Sequence, residues 1–341
     1  MRALGWTLAV AGLVLAGCGT GGSGEAEGGL RQTMARLDAS GPAATYLEYG
    51  DMAHWRKLGV VTDKGPGQDR RWVAAVGSGF GDFAVGGQRI AEATGLNVFA
   101  ADRGVIAGTP PKSAIRVEGT LDASGISAKL TSMGAKPREI GGQEGLSLNK
   151  DNMLDLAGPQ TALGLTNQLN QVVVTDSALV AGAAADSVAG ALGTGSSLAD
   201  EPDHAAVADC LGDVAAAVIM APRQPGGVIL YGVGLRGPAS TADKAVDVVC
   251  VLPRVAEVGK VFKERLVTAA KPGGKPLGDL VETITHDDVT SGDRTVHRAL
   301  LTVKPDGPVL LANQLLIRGD LERLADPAAP LDPLGVTRPS S

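Results

Sequence analysis

The sequence predicts an α+β fold, a largely antiparallel sheet with helices packed on one face. Three observations carry this. Short runs rich in Val, Ile and Leu recur along the chain, bounded by Gly, Pro, Asn and Asp, which is a strand pattern. Helical periodicity appears only in short stretches between them, with hairpins too frequent for strand–helix–strand crossovers. Hydrophobic residues make up 44% of the 341 and charged residues 20%, a composition that supports an ample core and rules out a wholly disordered chain.

The elements follow in order. Leu30–Asp38 has Leu30, Met34 and Leu37 at helical spacing. Thr45–Tyr49 reads as a strand, and Asp51–Leu58 as a helix opened by a capping Asp. Phe83–Thr94 contains a helix closed by Gly95. Val105–Gly119 is strand, Pro-bearing turn, strand. Leu121–Gly134 is a helix with Ile126, Leu130 and Met133 on one face. Arg138–Leu148 is a strand or hairpin, Gln171–Ala183 a hairpin turning at Thr175–Ser177, and Asp186–Leu192 a helix. A similar succession starts again at Val228–Pro238 and Ala245–Leu252. It continues with a helix at Ala256–Ala269, strands at Leu280–Thr285 and Thr295–Val303, a hairpin at Pro308–Gly319 and a helix start at Asp320–Leu324. A unit of strand, strand, helix, strand, hairpin, helix is therefore expected twice, over residues 105–192 and 228–325. Asp326–Ser341 has four Pro in its 16 residues and is expected to be a disordered tail.

The N-terminus carries the most specific signal. After Met1-Arg2 comes the apolar run Ala3–Leu15, then Leu15-Ala16-Gly17-Cys18. The run is shorter than the roughly 20 residues of a membrane span and suits the core of a signal peptide. The small pair followed by Cys resembles the lipobox of bacterial lipoproteins. That resemblance implies a signal peptide over 1–17, lipidation of Cys18 and a flexible Gly/Ser/Glu tether to residue 29, ahead of an extracytoplasmic α+β region over 30–325. Without Arg2 the mature chain has 30 basic and 37 acidic residues, a net charge of −7. Anionic headgroups repel such a body, so the lipid is the expected attachment.

Cys210 and Cys250 remain. Outside the cytoplasm two leftover cysteines have one pairing open to them, with two buried free thiols as the alternative. Cys210 lies on the apolar side of a helix expected over Ala205–Val214, and Cys250 alternates with Val246, Val248 and Leu252 on one side of a strand. The bridge is expected to staple an edge strand to the preceding helix, in a structural role.

Other motifs read more plainly as structure. Gly232–Gly237 matches G-x-G-x-x-G, but Pro238 stands where a helix would need its N–H, so a glycine-rich strand and turn is the reading. Ser147 and Lys150 fit S-x-x-K without the K-T-G strand that such enzymes need. His286, Asp287 and Asp288, with His297, form the best metal-like cluster, on a segment that looks like a solvated hairpin loop; whether they bind a metal is left open. Asp200, Glu201 and Asp203 precede a helix and are read as favouring its positive end. His54 beside Trp55 is read as a surface or core-edge residue. No catalytic, cofactor-binding or metal residue is assigned, and no cofactor is implied. A net charge of −6 and only 10 aromatic residues argue against nucleic acid as a partner.

The segments Tyr46–Asp51 (YLEYGD), Asp102–Pro111 (DRGVIAGTPP), Leu165–Val174 (LTNQLNQVVV) and Ser197–Gly212 (SLADEPDHAAVADCLG), read together, resemble a family of uncharacterised lipobox-bearing lipoproteins of high-GC actinobacteria. The resemblance implies a place, the outer side of the cell membrane, and no activity. The function expected is a non-catalytic binding or interaction protein of the cell envelope, with an envelope protein or ligand as partner. A solute-binding lipoprotein feeding a transporter, or an envelope hydrolase with its residues drawn from distant segments, are the alternatives.

Overall fold

The computed structural model describes residues 29–329. Helix α1 (Gly29–Met34) lays Leu30 and Met34 against the sheet. Strand β1 (Tyr46–Asp51) runs into helix α2 (Met52–Lys57), and the junction is the expected cap: the Asp51 carboxylate accepts from the His54 backbone N–H at 2.8 Å. A small ribbon, β2 (Val61–Thr62) and β3 (Gly65–Pro66), leads to α3 (Val73–Val76), α4 (Asp82–Val85) and α5 (Gly87–Thr94), which Gly95 ends in the left-handed conformation. The hairpin of β4 (Arg103–Ala107) and β5 (Ala114–Glu118) precedes α6 (Ala123–Ser132), capped by Asp122. Then come β6 (Lys136–Ile140), β7 (Gln143–Ser147), α7 (Pro159–Ala162), β8 (Gln171–Val174), β9 (Ala178–Gly182) and α8 (Ala185–Gly190). The rest is α9 (Pro202–Leu211), β10 (Val214–Met220), β11 (Val228–Arg236), β12 (Val246–Pro253), α10 (Glu257–Thr268), α11 (Leu277–Leu280), β13 (Val281–Ser291), β14 (Arg294–Val303), α12 (Leu311–Ile317) and α13 (Asp320–Ala325).

Apart from the β2–β3 ribbon, the strands form one antiparallel sheet in the order β13-β14-β12-β11-β10-β1-β4-β5-β9-β8-β7-β6. The α+β class with a large antiparallel sheet is as the sequence predicts. The helices, however, cover both faces and not one. Strand β12 shows why: Val248, Cys250 and Leu252 point into one core and Val249 and Val251 into another. With both sides of a strand apolar, each face needs its own cover. Helices α1, α8 and α9 supply one, and α2–α6, α10, α12 and α13 the other.

Three further expectations are corrected. Pro308–Gly319 holds helix α12 and not a hairpin. Leu311 and Leu315 fall on one helical face and are buried, and the Asp247 carboxylate accepts from the Ala312 N–H at its start. Helix α9 stops at Leu211, and Val214–Met220 is a strand at the middle of the sheet. Asp326–Ala329, expected in a disordered tail, lie against α10, where the Arg265 guanidinium donates to the carbonyls of Asp326 and Ala329; residues 330–341 lie outside the described residues.

The repeat drawn over 105–192 and 228–325 is not confirmed, since its second hairpin is a helix. The two halves do share a strand order. Outward from the centre one side reads β1-β4-β5-β9-β8 and the other β10-β11-β12-β14-β13, with β6 and β7 added beyond β8.

Candidate functional site

The place where the two halves meet leaves a trench. On the face away from α9, one row of side chains crosses five strands: Val218 of β10, Glu48 of β1, Ile106 of β4, Ile115 of β5 and Ala181 of β9, all neighbours in register. At about 4.8 Å per strand this floor is roughly 19 Å across. The α3–α4 corner forms one wall with Phe80 and Phe83; the end of α12 forms the other with Leu316 and Ile317. Gly104 lets the first wall come this close, because a Cβ there would stand 2.6 Å from the Phe80 ring. The cavity measures about 770 Å³, within the range of small-molecule sites. Ile317 is 59% exposed, which puts it at the mouth.

Two polar groups stand in this apolar floor. The Tyr46 hydroxyl donates to Glu48 Oε2 at 3.0 Å, and Glu48 Oε1 accepts from the Gly79 N–H at 3.0 Å. Burial first, and the neighbouring Glu48 carboxylate second, hold the Tyr46 phenol above its ordinary range, so it stays protonated. Beside Phe83, Gln168 donates to Asp82 at 2.7 Å. The sequence reading did not single out Tyr46 and Glu48 as site residues. The signal was present: in β1, Leu47 and Tyr49 alternate with them, so the face that carries Tyr46 and Glu48 had to meet something tolerant of a carboxylate.

Cys210 and Cys250 are joined, with Cα atoms 6.2 Å apart and a sequence separation of 40. In the chain-entropy picture a loop of that length stabilises by roughly 3–4 kcal/mol. The bridge ties α9 to β12, which is an interior strand and not the edge strand expected. It lies on the sheet face opposite the trench. Gly232 and Gly234 of the G-x-G-x-x-G match sit within β11, and at Gly232 a Cβ would meet Val207 Cγ1 at 2.5 Å. The glycine there is a packing device that lets α9 lie on the sheet.

The metal-like cluster is divided. His286–Ser291, expected in a loop, belongs to β13, so His286 and Asp288 face one way and Asp287 the other. The His286 ring packs edge-on against Phe262, and its burial holds the imidazole below its usual pKa. Asp287 accepts from the Arg298 Nε at 2.9 Å; Asp288 lies 2.8 Å from His297 Nδ1 and 2.9 Å from Lys263 Nζ. Asp203, read as favouring the start of α9, accepts from Arg294 at 2.6 Å, and Glu201 at the cap position makes no side-chain cap bond. Ser147 donates to the Asn149 carbonyl. The four histidines all lie outside the trench lining: His54 stacks edge-on with Trp55, and His204 lies 3.1 Å from the Ala44 carbonyl. Cys18 lies outside the described residues.

No protein family and no curated protein matches the chain. A solved structure, crystal form IV of TP0453, aligns over 78% of this chain and 94% of that one, at 8% identity and a TM-score of 0.35. A likeness that low carries no conclusion about fold or function. Among the described residues no helix is long and apolar enough to cross a membrane.

Proposed function

We propose that this chain is an extracytoplasmic lipoprotein of an actinobacterial type, anchored in the cell membrane through Cys18, that binds a small, largely apolar molecule in the trench. The observation that carries the binding is the trench itself. It is a five-strand apolar floor of about 770 Å³ between the two halves, with one polar pair in it. Burial of an apolar ligand there is favourable at about 25 cal/mol per Å². The anchoring half of the proposal is supported by the order of Arg2, Ala3–Leu15 and Ala16-Gly17-Cys18.

The binding is tested with N-phenyl-1-naphthylamine, whose fluorescence rises in apolar sites. The protein is expected to bind it saturably at about one site, and Ile106→Arg, which puts a charge into the floor, to weaken binding at least about tenfold while the thermal transition persists. Equal binding by the two proteins would remove the trench as the site.

A further inference from the structure

We infer that the trench is selective for an elongated amphiphile whose head donates hydrogen bonds and is neutral or cationic, and that it disfavours the anionic counterpart. This rests on the reading of the trench as a ligand site. The head position is set by Tyr46 and Glu48. Tyr46 spends its only proton on Glu48 Oε2, so its oxygen is left as an acceptor. Glu48 is a carboxylate with one donor on each oxygen, Tyr46 and the Gly79 N–H, and each oxygen keeps a further lone pair. The pair therefore offers acceptors only.

The surrounding charge points the same way. The charged side chains lining the trench are Glu48, Asp82 and Arg223. Arg223 is exposed at the rim and donates to the Ile317 carbonyl at 3.0 Å, so the cation faces the end of α12 and not the floor. A carboxylate or phosphate head beside Glu48 would meet a like charge in surroundings where water screens poorly. An ammonium or hydroxyl group would meet the acceptor oxygens of Tyr46 and Glu48.

The elongated shape follows from where the polar pair stands. It lies on β1, the second of the five floor strands counted from β10. Beyond it the floor is Ile106, Ile115 and Ala181, walled by Phe80 and Phe83. The head sits toward α12 and the apolar tail runs toward β9.

Three probes with one dodecyl chain separate the possibilities: dodecyl maltoside, dodecylammonium and dodecanoate, each displacing N-phenyl-1-naphthylamine below its micelle concentration at pH 7. The maltoside and the ammonium are expected to displace the dye at least about tenfold more effectively than dodecanoate. Glu48→Gln, which keeps an acceptor for the Gly79 N–H, is expected to shrink that gap to less than about threefold. Tyr46→Phe, which leaves the carboxylate, is expected to preserve the preference against dodecanoate. Equal displacement by all three in the unsubstituted protein would overturn the inference while leaving the trench as a site, as would a gap unchanged by Glu48→Gln. If Glu48→Gln does not fold, the ranking in the unsubstituted protein decides alone. Failure of the dye to bind, or of every probe to displace it, would overturn the trench reading itself.

Discussion

Asp247 is a carboxyl closed off from water on β12. Its Oδ2 accepts from the Ala312 N–H at 2.8 Å, at the first turn of α12, and burial pushes its pKa up to about 8. At neutral pH it therefore keeps its proton in the folded protein. An unfolded Asp titrates near 3.8, so between about 4 and 8 the folded state holds a proton that the unfolded state has lost. Stability then falls as pH rises through that window, by up to about 1.4 kcal/mol per pH unit from this group alone. Asp247→Asn removes the titration and can still accept from Ala312. Chemical denaturation from pH 5 to 9 is expected to show the variant gaining on the parent as pH rises; a constant difference would show that Asp247 does not titrate in this way. At this scale the sequence was informative about the cysteines, held only the β1 alternation as a sign of Tyr46 and Glu48, and was silent about Asp247. The cysteine pairing needed only a count and two alternation patterns. A lone Asp in AVDVVCVL carries no mark of its burial until the helix that covers it is placed.

Helix α9 rests on the sheet because β11 lacks side chains beneath it. Adding a Cβ at Gly232 would bring it within 2.5 Å of Val207 Cγ1. Gly232→Ala is expected to destabilise by about 1–3 kcal/mol, and Val207→Ala in the same chain to recover part of that loss. Additive losses in urea titrations would separate the two positions. Most of the longer elements were legible: the Asp51 cap, the Gly95 stop and the three hairpins β4–β5, β6–β7 and β8–β9 lie where local chemistry puts them. Two were not. The run VAAAVIM of β10 has helix-forming alanines and is buried on both faces, so neither propensity nor alternation marks it as a strand. Leu310–Ile317 carries four leucines and an isoleucine, a strand-like density, and becomes α12 because tertiary contacts bury one helical side of it.

The whole molecule is two halves of like strand order joined through β1 and β10, and the candidate site lies where they meet. That position explains why the sequence did not announce it. The floor draws on β10, β1, β4, β5 and β9, which are spread from residue 46 to residue 220, so no local motif can encode it. The proposed N-terminal signal is the opposite case, a contiguous run from Arg2 to Cys18. Cys18→Ala is expected to abolish labelling by a radioactive fatty acid and release the protein from membranes; equal label in both would sink the lipid anchor.

The most direct test of the trench is to find where a bound apolar molecule lies. A photoreactive dodecyl alcohol carrying a diazirine, bound at one equivalent, irradiated and mapped by peptide mass spectrometry, is predicted to mark peptides that contain Phe80–Phe83 and Ile106–Ile115. Label concentrated instead on the exposed apolar residues Met153, Leu154 and Leu156, or spread without preference, would contradict the account.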